Sequence, residues 1–362
     1  MRGHVDRNLI VAIDEDGTRY SDSNVKCIIN QHDRKSYLTA TNFLNDSDVD
    51  VVSLQHEFGI FGGDWGEYVL GLCRNIRVPL VSTFHTVLRR PPEKARRIVN
   101  EIAKMSTTVV VTIESAARLL EKYSGVDPNK ITVVRHGTAL PDHVRRDYAK
   151  RHLELQKRTV LATSGLISSG KGIEYAIKSL PYLVKERPEL LYLVLGETHP
   201  EVKKHEGEAY RNRLVSLAKR LRVEHNVRFV DRYLPDDELS LYLQAVDVYL
   251  APYLGKDQVS SGTITLALGH GKAVVSTPTI FAREVLSNEK GLFCKFADAR
   301  SLAESVQHIL GDIPLRRRLE SNAFKYGQEV GWTRVADQYG DIFRSAMRVG
   351  RTVSETATIS ET

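Results

Sequence analysis

Short runs of β-branched and other apolar residues alternate with longer stretches in which apolar positions recur every three to four residues, over most of the 362-residue chain. The short runs predict strands at residues 9–13, 51–54, 80–84, 107–112 and 131–134, then at 159–163, 190–195, 227–230, 248–251 and 273–276. Helical spacing fills the gaps at 67–75, 92–104, 115–123, 173–185, 207–221, 236–245, 263–269, 301–310 and 314–327. Strands that alternate with helices build parallel sheets covered on both faces, so each half is expected to form its own doubly wound α/β domain. The first, Rossmann-like, is assigned to residues 1–150 and the second, also Rossmann-like, to 151–330, with the charged stretch 141–157 as the connection. A helix over 333–349, in the segment 331–349, follows Gly331-Trp332 and is placed to return and brace the first domain. Residues 350–362, rich in Ser, Thr and Glu without apolar periodicity, are expected to be disordered.

Composition narrows the class. With 42% hydrophobic and 27% charged residues the chain has the balance of a water-soluble enzyme, and it contains no apolar run of about eighteen residues. The polar start, Met1 to Arg7, and the short apolar run after it do not make a signal peptide, which points to the cytoplasm. Cys27, Cys73 and Cys294 are too scattered for a metal site and odd in number, and they read as buried thiols. A net charge of +6 suits nucleic acid, anionic headgroups or acidic small molecules. The basic residues fall in short groups, Arg89-Arg90, Arg145-Arg146, Lys203-Lys204 and Arg316-Arg317-Arg318, and no nucleic-acid module accompanies them. Solvated helix faces are the first explanation, peripheral contact with the inner face of a membrane the second, and no nucleic-acid partner is expected.

Ligands of open parallel sheets bind beyond the carboxyl ends of the strands. In the first domain those ends carry Gln55-His56-Glu57, His85-Thr86 and His136-Gly137. In the second they carry Ser164 to Lys171, Gly196-Glu197-Thr198-His199, Asp231-Arg232 and the loop 252–262. Two polar, glycine-containing loops open helices there: Ser164-Gly165-Leu166-Ile167-Ser168-Ser169-Gly170-Lys171-Gly172, and Asp257-Gln258-Val259-Ser260-Ser261-Gly262-Thr263. Unpaired backbone N–H groups at such helix starts cradle phosphates, though either loop alone is also what an ordinary capped helix looks like. Two cradles in one domain point to a nucleotide carrying a sugar, with Lys171 and Arg232 as cations for the diphosphate. A cleft is expected whose first-domain wall suits sugar hydroxyls. No metal site is specified: His56 and Glu57 are adjacent and point apart, and Glu197-Thr198-His199 offers two ligands at most. Neither a G-x-S-x-G elbow nor a dinucleotide-binding G-x-G-x-x-G is present.

These residues resemble the retaining nucleotide-sugar glycosyltransferases of family 4, which have the two-domain GT-B fold. The resemblance runs from about Leu9 to Tyr339 and is carried by Gln55-His56-Glu57-Phe58-Gly59-Ile60-Phe61-Gly62-Gly63, Thr83-Phe84-His85-Thr86-Val87, His136-Gly137, Gly165 through Lys171-Gly172, Leu195-Gly196-Glu197-Thr198-His199-Pro200, Gly207-Glu208-Ala209-Tyr210-Arg211, and Asp257-Gln258 with Ser261-Gly262-Thr263. It implies transfer of a hexosyl group, mannose or glucose, from GDP-mannose or UDP-glucose to a carbohydrate or lipid-linked acceptor, with no cofactor or metal. It implies catalytic roles for His85, Glu57 and Lys171. Donor contacts are implied for Gly165, Lys171, Arg232, Thr198, His199, Gln258, Ser261, Gly262 and Thr263. The chain departs from the family in two places: the usual acidic pair falls at Gln258 and Leu266, and the usual arginine of the Gly-Arg-Leu element at Leu166. Those departures keep open a non-catalytic sugar-nucleotide-binding or regulatory subunit. The first βα unit of the family is expected to be missing, which would expose a sheet edge for a partner chain or second copy to cover.

Overall fold

The computed structural model describes residues 7–15, 17, 20–141 and 145–360, of which 350–360 as backbone only. Residues 1–6, 142–144 of the expected connection and 361–362 of the expected tail lie outside the description. The chain gathers into two compact units, residues 1–135 with 333–362, and residues 136–332.

In the first unit β1 (Ile10–Asp14) and β2 (Val25–Asn30) form a parallel pair, and β3 (Val52–His56), β4 (Leu80–Phe84), β5 (Thr108–Val111) and β6 (Ile131–Val133) form a parallel sheet in chain order. β2 and the helix Arg34–Asn45 behind it fall in a stretch where the sequence predicts no element. The buried face of that helix is Tyr37, Ala40, Thr41 and Leu44, only two of them strongly apolar, so its period is faint; Asp33 caps it by accepting from Lys35 N at 2.9 Å. The last helix, Trp332–Ser360, lays Val335, Phe343 and Ala346 against Val81, Val110 and Val134 of this unit. Its Tyr339 hydroxyl meets Thr83 Oγ1 at 2.9 Å. The helical backbone runs on through 352–360, where composition leads one to expect disorder.

In the second unit β7 (Thr159–Ser164), β8 (Leu190–Leu195), β9 (Val227–Val230), β10 (Val248–Ala251), β11 (Ala273–Ser276) and β12 (Gly291–Phe293) form one parallel sheet in the order β12-β11-β10-β7-β8-β9. β8 reads LLYLVL and every residue is buried, as expected of a central parallel strand covered on both faces. β12, three residues long, is too short to stand out in the sequence. Residues 136–141 and 145–150 belong to this unit rather than to the first, because Thr138 bridges to Gly331 and helix Arg146–His152 is anchored through Lys150 on buried Asp247 at 2.6 Å. The expected helix at 207–221 begins at Ala209, after a separate helix Pro200–Glu206 that stops at Gly207.

This pair of Rossmann-like parallel-sheet units is the GT-B architecture. No described helix is long and apolar enough to cross a membrane.

Candidate active site

The sheet order of the second unit reverses between β7 and β10: the chain leaves β7 toward β8 and β9, and leaves β10 toward β11 and β12. Loops that diverge from neighbouring strands open a crevice at their carboxyl ends. Those two loops are the glycine-containing ones. Gly165, at φ +95°, is so close to the second loop that a Cβ on it would lie 2.9 Å from Thr263 Cγ2 and 3.2 Å from Lys171 Nζ. Gly172, at φ +64°, would put a Cβ 2.1 Å from the Pro252 carbonyl oxygen, so only glycine lets the loops meet there. Leu254 N donates to Gly170 O at 2.9 Å and ties the loops together.

The helix Gly262–Gly269 starts at this junction, with Ser261 as its cap accepting from Ile264 N at 3.3 Å. First-turn amides point out of a helix and carry its positive end. Lys171, largely buried on the turn Ser169–Lys171, donates to Ser164 O at 3.1 Å and lies 5.2 Å from the centre of the Tyr253 ring. Burial pushes its ammonium pKa down. Of its three donors Ser164 takes one, which equips it to meet an anion. Thr263 Oγ1 bonds the Tyr253 hydroxyl, and Tyr249 below holds Ser164 through N (3.1 Å) and Oγ (2.9 Å).

His136, expected on the first domain's wall, sits in the second unit beside this helix start: a Cβ on Gly262 would be 3.3 Å from its Nε2. The correction follows from the chain path, since Thr138 N donates to Val330 O at 3.0 Å and Trp332 N to Thr138 O at 3.1 Å. Its Nδ1 donates to Gly137 O at 2.8 Å, which leaves Nε2 as the acceptor of the neutral ring.

The other expected donor contacts are engaged within the protein. Thr198 is buried, with its hydroxyl donating to Glu208 at 2.5 Å and accepting from Arg211 at 3.1 Å. His199 caps helix Pro200–Glu206, its Nδ1 accepting from Glu201 N at 3.2 Å. Arg232 is exposed and held by both carboxylate oxygens of Glu238. Gln258 donates to Ser260 O at 2.8 Å. The structure therefore brings together Gly165, Lys171, Ser261, Gly262 and Thr263. Tyr249 and Tyr253, which the sequence does not single out, lie beneath them.

At the strand ends of the first unit, His85 Nε2 meets Gln55 Oε1 at 2.9 Å, and Glu57 accepts from Thr86 Oγ1 at 2.7 Å and from Phe58 N at 3.2 Å. His56 and Glu57 do point apart. The His56 ring is fully buried among Phe58, Phe61 and Phe84, at 5.0 to 5.6 Å between ring centres, and neither ring nitrogen has a hydrogen-bond partner. Burial, helped by nearby His85, lowers its pKa to about 4.

A cavity of about 590 Å³ elsewhere in the second unit is lined by Arg145, Asp236, Ser240, Gln244, Leu266 and His270 among others, and by none of the cradle residues. His270 there is buried, donating from Nδ1 to Leu266 O at 2.9 Å and accepting at Nε2 from Ser240 Oγ at 2.9 Å. Its pKa is pushed down to about 4, by burial above all. Cys73 and Cys294 are buried thiols, pushed by burial up to about 12, whereas Cys27 is only half-buried. Among the described residues no group of three or more His, Cys, Asp or Glu is placed to hold a metal ion.

Residues 144–326 match the family of glycosyl transferases group 1, and residues 29–140 match glycosyltransferase family 4. The chain belongs to this glycosyltransferase family. It is 26% identical over 294 residues to the D-inositol 3-phosphate glycosyltransferase of Corynebacterium efficiens, covering 75% of this chain and 66% of that protein. The chain thus spans about two thirds of the length of the curated relatives it matches. Among solved structures it is similar to Anabaena HepE in complex with UDP, with TM-score 0.70 and 15% identity over 88% of this chain and 85% of that one. It is also similar to sucrose-phosphate synthase from Thermosynechococcus elongatus, with TM-score 0.71 and 18% identity over 87% and 79%.

Proposed function

We propose that the chain is a retaining glycosyltransferase that moves a hexosyl group, mannose or glucose, from a nucleoside-diphosphate sugar to a carbohydrate or lipid-linked acceptor. The observation that carries this reading is the convergence of Lys171, Gly165 and the start of helix Gly262–Gly269 at the β7/β10 reversal. The complexes of the similar Anabaena HepE with UDP and with UDP-glucose fit a donor of this class. GDP-mannose and UDP-glucose are the two donors to test.

Transfer breaks the bond between the anomeric carbon and the diphosphate oxygen, so negative charge grows on the departing nucleoside diphosphate. Lys171, the helix start and the Thr263 hydroxyl stabilise that charge from fixed positions. The acceptor oxygen bonds the anomeric carbon on the face the diphosphate leaves, and its proton passes to the departing phosphate oxygen. No carboxylate acts as a covalent nucleophile. In this reading His85 contacts the transferred hexose and Glu57 positions the acceptor. His136, moved from the sugar wall, stands beside the helix start, where its Nε2 is placed to accept from a hydroxyl of the donor.

One observation favours a second reading, a sugar-nucleotide-binding subunit without activity: Gln258 and Leu266 stand where the family has its acidic pair, and Leu266 lines a separate cavity. A thermal-shift screen of nucleoside diphosphates and their sugars identifies the donor, since a bound ligand raises apparent stability. Donor turnover that His85→Ala abolishes decides for the transferase. Binding without turnover decides for the subunit, and no binding of any nucleotide overturns both.

A further inference from the structure

We infer that Tyr253 is a positioning residue that holds the Lys171 ammonium and the Thr263 hydroxyl as one anion-binding unit, an inference that rests on the donor reading above. Tyr253 is 4% exposed and follows β10, across the sheet reversal from Lys171. Beside the hydrogen bonds of its hydroxyl to Ser261 and Tyr249, two of its contacts matter here. Its phenol oxygen bonds Thr263 Oγ1, while its ring lies 5.2 Å from Lys171 Nζ, in the range of a cation–π interaction.

Each partner is also fixed from a second side. The Thr263 methyl packs where Gly165 has no side chain, since a Cβ there would be 2.9 Å from Cγ2. The Lys171 ammonium is held by the Ser164 carbonyl at 3.1 Å, and Ser164 in turn by the Tyr249 hydroxyl. Tyr253 itself cannot drift, because Thr277 Oγ1 donates to its carbonyl at 2.5 Å. Burial raises its phenol pKa, which keeps the hydroxyl neutral. When the phenol donates, the Thr263 hydroxyl keeps its own proton to donate, with Ser261 Oγ 3.4 Å away at the helix start. One buried side chain therefore sets the spacing between a cation and a hydroxyl that together suit two neighbouring phosphate oxygens.

The test is calorimetric titration of inorganic pyrophosphate, UDP and GDP into the full chain and its Tyr253→Phe, Thr263→Val and doubly substituted forms. Phenylalanine keeps the ring under Lys171 and removes only the hydroxyl. Each single substitution is expected to weaken the tightest of these ligands about three- to ten-fold, the scale of one hydrogen bond. The double substitution is expected to be no weaker than either single one, because both act through the same bond. Additive losses, or unchanged affinity in Tyr253→Phe, overturn the inference. Thr263→Ser against Thr263→Val repeats the test without touching the buried phenol: serine should keep the affinity and valine lose it, and equal affinities overturn the inference. If the unsubstituted chain binds none of the three, the donor reading falls and the inference falls with it; binding that the substitutions leave intact overturns the inference alone.

Discussion

Both units carry polar chemistry at the same address, beyond the carboxyl ends of parallel strands, but they equip it in opposite ways. In the second unit the sheet order reverses between β7 and β10, and the diverging loops present backbone amides and a lysine over a floor of buried tyrosines. In the first unit β3 to β6 follow one another without reversal, and the polar side chains bond one another: His85 to Gln55, and Glu57 to Thr86. A reversal leaves room for a ligand to complete the hydrogen bonding; an unbroken order leaves neighbouring loops to complete it themselves. The buried histidines repeat the contrast, since His270 is bonded at both nitrogens and His56 at neither.

Acid should have the largest effect, and on both units alike. Both imidazoles titrate near pH 4 instead of near 6.5. The unfolded chain therefore takes up these protons first, so stability is lost as pH falls from about 6.5 to about 4, and these groups add no further loss below that. Each shift corresponds to on the order of 3 kcal/mol. Urea unfolding at pH 7 and pH 4, followed in single-tryptophan forms through Trp65 for the first unit and Trp332 for the second, should show both losses. A pH-independent first unit would mean that His56 has a partner in solution.

Next in size is Lys171→Ala, which should cost about 2–4 kcal/mol in the transition state, the scale of a lost oxyanion donor. Single-turnover kinetics with the identified donor would show it; unchanged turnover removes Lys171 from the mechanism. Smaller again is the same substitution made at both histidines. His270→Leu removes the ring's hydrogen bonds to Ser240 Oγ and Leu266 O and should cost about 1–3 kcal/mol at pH 7. His56→Leu strands nothing, should change stability by less than about 1.5 kcal/mol, and should remove the acid sensitivity of its unit. Equal costs at the two sites, measured by denaturant melts, would erase the comparison. Last, His85→Ala should cost only about 0.5–1.5 kcal/mol of stability through its bond to Gln55, while turnover disappears. Parallel loss of folding and turnover would reduce His85 to a structural residue.

The sheets were legible because buried parallel strands leave unbroken apolar runs, as in β8. β2 was not, since Lys26 interrupts its run and leaves only Cys27, Ile28 and Ile29 in a row. Lys171, Gly165 and Thr263 could be read because glycine and hydroxyl residues beside a strand end mark a cradle before any contact is known. Tyr253 could not, because a tyrosine after a buried strand reads as core until its hydroxyl is seen to reach Thr263. Thr198, His199 and Arg232 looked available for the opposite reason. Arg211 and Glu238, the partners of Thr198 and Arg232, sit on helices whose facing sides no local pattern reveals, and His199 is taken up as the cap of the helix it precedes.

The return of helix Trp332–Ser360 makes the first unit discontinuous in sequence, so a fragment ending near residue 135 lacks the Val335, Phe343 and Ala346 side chains that cover Val81 and Val110. During synthesis the residues up to 135 must wait for residues 333–349 to emerge before their apolar surface closes, whereas the stretch between is already entire.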